Sequence, residues 1–172
     1  MERLLLVLAI VVFFLLCLVA MRRGWKRKAR VQSVRVPLFP EIPADLGEPL
    51  LADSGLYIST TSAGDWQDRI VTRGAGIRTK ASWRLHESGV AIERAGGPDF
   101  FIPAEDITGA RASGQIAGKV MGNEGLLIIT WLAGQVPLDT GFRGDLDVYP
   151  QWIERLAPQD QTIDPELKGG AQ

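Results

Sequence analysis

The chain has 172 residues, room for one ordinary domain with appendages, and a formal net charge of −1 that argues against a nucleic-acid partner. Its single cysteine, Cys17, rules out an internal disulfide. Seven basic residues, Arg22, Arg23, Lys26, Arg27, Lys28, Arg30 and Arg35, fall in one stretch without an acid. Charge asymmetry of this kind marks a membrane surface or a polyanion.

Leu4 to Met21 reads LLLVLAIVVFFLLCLVAM, with no charged side chain. A helix of that length covers roughly 27 Å, against about 30 Å of bilayer hydrocarbon. Arg3 and Arg22 can snorkel at its two ends, and Cys17 reads as one more apolar residue. A cleaved signal peptide fits less well, because no small-residue cleavage site comes after the apolar run. The segments read as a short outer terminus over 1–3, a transmembrane signal-anchor over 4–21 and a basic juxtamembrane stretch over 22–30. Positive charge on the carboxyl side places the amino terminus outside and the rest in the cytoplasm, at the cell membrane. Trp25 belongs to an interfacial anchor, and Arg22, Arg23, Lys26, Arg27, Lys28 and Arg30 face anionic lipid.

Residues 31–54 contain Pro37, Pro40, Pro43 and Pro49 and read as an extended linker. Leu38, Phe39 and Ile42 are candidates to dock on the domain beyond it. The P-x-x-P spacings are too short a match to assign a partner.

From residue 55 to 157 the pattern is mainly β. LYIST (56–60) alternates. IRTKASWRL (77–85) sets Ile77, Thr79, Ala81, Trp83 and Leu85 against Arg78, Lys80, Ser82 and Arg84. GVAIERA (89–95), FFI (100–102) and ITGARAS (107–113) come next. LLIITWLA (126–133) reads as a strand buried on both faces. QVPLDTGFR (135–143) is its hairpin partner. LDVYPQWIERLA (146–157) then changes to helical spacing, with Tyr149, Trp152, Ile153 and Leu156 on one stripe, an acid as cap and Pro158 as stop. Between the first two strands, Ser62, Asp65 and Asp68 offer capping registers, Asp65 and Arg69 an i, i+4 ion pair, and Trp66 and Ile70 one face. That spacing predicts a short helix ended by Gly74. The expected architecture is a pleckstrin-homology-like (PH-like) barrel: about seven antiparallel strands in two packed sheets, closed by a carboxy-terminal helix. Another small barrel or a sandwich with a peripheral helix is the alternative. Residues 158–172 read as a disordered tail.

YISTTSAGDWQDRIVTRGAGIRTKA, DFFIPAEDI, AGKV and TWLAGQVPLDTGFR together resemble the actinobacterial membrane proteins with one amino-terminal span and a bacterial PH-like domain. The resemblance covers roughly residues 50–157. Members are often labelled transporters or export proteins, and their genes commonly lie among pyrimidine-biosynthesis genes. One span cannot form a transport path by itself.

Catalytic chemistry has little to work with. His86, the one histidine, reads as a surface turn residue. No Cys/His cluster has metal spacing, and no cofactor motif is present. GQIAGKVMGNEG (114–125) carries Lys119 among glycines, but Val120 stands where a phosphate-binding loop needs Ser or Thr. A flexible hairpin loop explains it, with phosphate cradling as the alternative. Asp65/Asp68, Glu105/Asp106 and Asp145/Asp147 all sit where capping accounts for them. The chain reads as a non-enzymatic, membrane-anchored binding or scaffolding module for a protein segment or a lipid headgroup. Thr61, Asp65, Trp66, Arg69 and Lys119 are its candidate contacts. The alternative is an accessory subunit of a membrane transport or pyrimidine-related biosynthetic complex.

Overall fold

The computed structural model describes residues 2–116, 119–120 and 125–157. Helix α1 runs unbroken from Glu2 to Arg35. It does not stop at the basic block but continues into the stretch read as linker, and Val36 comes directly after it, fully buried. Among the described residues there are ten strands: β1 (Leu51–Ser62), β2 (Asp65–Arg69), β3 (Thr79–His86), β4 (Gly89–Arg94), β5 (Phe100–Pro103), β6 (Ile107–Ser113), β7 (Gln115–Ile116), β8 (Lys119–Val120), β9 (Leu126–Ala133) and β10 (Val136–Arg143). Helix α2 (Tyr149–Arg155) ends the described chain, after a 3-10 turn over Leu146–Val148.

Eight strands form one antiparallel sheet in the order β5-β4-β3-β1-β10-β9-β6, with β2 on β1. The two end strands do not pair, so the sheet is not closed, and the expected pair of packed sheets is one continuous sheet bent around its core. Closure fails at β5, which is four residues long and ends at Pro103. Its edge is partly satisfied by the linker, through Phe101 N–H donating to the Pro40 carbonyl. The mainly antiparallel β fold with an apolar amino-terminal helix and a carboxy-terminal helix is otherwise as the sequence implies.

The inner face obeys the period-two reading. Ala81, Trp83 and Leu85 are buried together, while Ile77 lies before the strand and is exposed. Trp83 packs on Phe142 at 4.7 Å between ring centroids, and Phe39 of the linker packs on Phe100 and Trp131 at 5.1 and 5.2 Å. Phe39 thus docks as its sequence suggests, while Leu38 stays in solvent. β9 is covered on both sides. Leu127, Ile129 and Trp131 face the main core, while Leu126 and Ile128 form a second cluster with Ile58 and Ile116. Ile116 belongs to the small β7–β8 hairpin, which folds back over the outer face. Gly141 permits that approach: a Cβ there would stand 2.5 Å from Ile116 Cδ1.

Three further expectations change. The predicted helix after β1 is the strand β2. Asp65 does behave as a cap, its Oδ1 accepting from Gln67 N–H and Asp68 N–H. Pairing of Thr61 with Arg69 and of Ser62 with Asp65 outcompetes helix propagation, so Asp65 and Arg69 are no longer neighbours across a helical turn. His86 is not a surface residue. It is 4% exposed, and its Nδ1 lies 3.1 Å from the Leu46 carbonyl. The acid expected at the start of α2 caps the preceding turn instead, with Asp145 Oδ1 accepting from Asp147 N–H. Residues 158–172, read as a tail, lie outside the described residues.

Candidate functional site

Where α1 leaves its apolar segment, its Ala29, Gln32, Ser33 and Val36 face the sheet. That spacing is one helical stripe. Gln32 holds the end of β2 from both sides. Its Nε2 donates to the Arg69 carbonyl at 3.0 Å, and its Oε1 accepts from Val71 N–H at 2.7 Å. One turn nearer the apolar segment, Lys28 Nζ stands 3.3 Å from Asp68 Oδ1. Asp68 also accepts from the Ser62 hydroxyl at 2.7 Å. These donors, Ser62 first and then Lys28, hold the Asp68 carboxyl below the ordinary carboxylate range.

The carboxyl end of α1 is capped from the sheet. Arg73 Nη2 donates to the carbonyls of Ser33 at 3.1 Å and Val36 at 3.4 Å. A cation there complements the helix dipole and satisfies carbonyls that have no intrahelical partner. Arg73 adopts φ of 57°, the one described non-glycine residue with positive φ. A left-handed conformation costs an arginine about 1–2 kcal/mol, which the caps and the packed turn offset. Helix and domain are therefore joined by side chains from both.

Beneath the dock lies a buried polar chain with one possible direction. Tyr57 O–H donates to the Ala75 carbonyl at 2.6 Å, so Thr60 must donate to Tyr57, Thr140 to Thr60, and Trp131 Nε1–H to Thr140. Burial pushes the Tyr57 hydroxyl up to about 12. Arg94 closes the same corner. It is 6% exposed, lies over the Tyr57 ring at 4.7 Å, and donates to the Pro98 and Gly74 carbonyls. Through these bonds the chain and Arg94 both hold the turn at Gly74 and Ala75.

The candidate contacts separate. Thr61 is fully buried, with its Oγ1 unpartnered among the described residues. Asp65 is exposed and spent on its own turn, and Trp66 is half-buried. Arg69 pairs with Thr61 in the sheet and reaches the Gly76 carbonyl at 3.5 Å. Lys119 lies in β8, and its side chain is outside the described residues. Arg22, Arg23, Trp25, Lys26 and Arg27 stay exposed on α1, whereas Lys28 turns to Asp68. Sequence reasoning missed Gln32, Asp68 and Arg73 as a unit. The available signal was the 29, 32, 33, 36 stripe, hidden because Pro37 made the whole stretch look extended.

Elsewhere, Asp139 is 4% exposed and takes a two-pronged contact from Arg111, at 2.7 and 3.3 Å, with the Thr130 hydroxyl at 2.7 Å. This network ties β6, β9 and β10. An open groove of about 880 Å³ crosses β1, β3 and β4 beside Leu56, Lys80 and Glu93. Among the described residues no group of three or more metal-ligating side chains converges. Residues 36–157 match the family described as Bacterial PH domain-like. No curated protein and no solved structure gives a match.

Proposed function

The chain belongs to the bacterial PH domain-like family, and from that premise we propose that it is a non-enzymatic, single-pass membrane protein whose cytoplasmic domain binds a protein segment. The observation that carries this reading is α1, which is apolar enough to cross a membrane and continues without a break into the dock on β2. A tether that only localised a domain would need no such joint. A joint of this kind holds the domain at a set height and orientation, as a scaffold requires. PH-like domains are generally non-catalytic. The basic residues 22–30 set the inward orientation and bear on anionic headgroups.

The partner surface we propose is β6. It is an end strand of the sheet, its residues 107–112 pair among the described residues with no strand but β9, and it is flanked by α2. A free strand edge beside a helix accepts an extended peptide by strand addition. Affinity purification of the full chain from its own membranes, with hydrogen exchange on the captured complex, tests this. New protection along β6 supports it. Protection confined to the apolar part of α1 would instead indicate an accessory subunit packed through its span, and would overturn the strand-addition reading. Flotation with anionic vesicles that persists after the basic residues of 22–30 are neutralised would move the assignment to a lipid headgroup bound by the domain.

A further inference from the structure

At the opposite end of β1 from the dock, a partly enclosed cavity of about 520 Å³ opens between the β3–β4 turn and the end of α2. Its volume lies within the roughly 300–1,000 Å³ typical of small-molecule sites. Leu85, Ile107 and Leu156 give it apolar walls, and His86, Glu87 and Arg155 are its ionisable lining.

Those three side chains are left over by the fold. Glu87 and Arg155 are exposed and make no ion pair or hydrogen bond among the described residues. His86 is 4% exposed and has no partner at Nε2 among the described residues. Its Nδ1 faces a carbonyl, which can only accept, so Nδ1 carries a proton. The cavity therefore combines a carboxylate on the turn side, a guanidinium on the helix side, and an apolar interior, with the His86 ring in its lining.

We propose that this cavity binds a small apolar zwitterion, an apolar α-amino acid. The ammonium meets Glu87, the carboxylate meets Arg155, and the side chain enters between Leu85, Ile107 and Leu156. Arg155 suits a carboxylate because its planar fork can donate two parallel bonds. The site lies the length of β1 away from the dock.

Titration calorimetry on the full chain in detergent tests this with L-leucine and L-phenylalanine. Leucinamide, which lacks the carboxylate, and N-acetyl-leucine, which lacks the ammonium, are the controls. Saturable binding of the free amino acids is expected, with each control at least about tenfold weaker, the usual scale for losing a charge-assisted contact. Arg155→Gln should erase the preference for leucine over leucinamide and leave the preference over N-acetyl-leucine. Glu87→Gln should do the reverse. Both positions are exposed, so folding is not at risk. Absence of saturable binding by the folded chain, equal binding of the capped forms, or variants with unchanged preferences would each overturn the proposal.

Discussion

Replacing Gln32 by Ala removes both hydrogen bonds that clamp α1 to the end of β2 and leaves the Val71 N–H and the Arg69 carbonyl without their partner. Each such bond contributes about 1 kcal/mol net, and an abandoned half-buried group adds to the loss, so the dock should weaken by roughly 2–3 kcal/mol. At 1.4 kcal/mol per decade, local opening should become about 30- to 100-fold more frequent. Amide hydrogen exchange on the full chain in nanodiscs reads this at Val71, whose N–H donates to the Gln32 side chain. The Ile70 amide is the internal control, since it donates to Thr60 within the sheet. Its exchange should change far less. Gln32→Glu keeps the acceptor for Val71 and loses the donor to Arg69, so it should retain part of the protection. Unchanged Val71 exchange in Gln32→Ala would refute the clamp.

Thr140→Val cuts the directed chain between Trp131 and Thr60, stranding two buried groups at a cost of about 1–3 kcal/mol by chemical denaturation; a neutral result would mean the chain is not fully formed. Gly141→Ala should push Ile116 off the outer face, destabilising by about 1–3 kcal/mol. Adding Ile116→Val removes the clashing Cδ1 and should restore much of that loss in a double-mutant cycle. Additive losses would contradict the packing. Asp68 has a depressed folded pKa, so its stabilisation of the dock is complete above the ordinary carboxylate range, near about 3.9, and is lost as pH falls through the folded value. The side chain is 36% exposed, so the effect is screened and small. Ser62→Ala should move the Asp68 titration upward by NMR, and an unmoved titration would remove Ser62 from its role.

Much of the sheet was legible because β3, β9 and β10 carry period-two or doubly buried patterns bounded by glycine turns. LLIITWLA announced burial on both faces, although nothing in it named Ile116 as the cover. The stretch after β1 misled for a specific reason. Asp65 makes the hydrogen bonds of a helix cap, so the local signal was sound, but pairing of Thr61 with Arg69 is a non-local event that no window of sequence contains. His86 misled in the same way. It ends a strand beside a turn, and what buries it is a linker carbonyl 40 residues earlier. The dock was illegible as a site because its parts come from positions 28–36, 62–73 and a left-handed arginine. The open edges were equally hidden: strand count suggests a barrel, but closure depends on whether the short β5 can reach a partner.

If the proposed function is right, α1 and the domain are held at one fixed distance. Spin labels at cysteines replacing Arg23 and Lys80, in a Cys17→Ala background in nanodiscs, measure it by pulsed dipolar spectroscopy. A continuous α1 clamped by Gln32, Asp68 and Arg73 should give a single narrow distance distribution. A flexible tether across residues 31–50 would give a broad one, and that result would contradict the account.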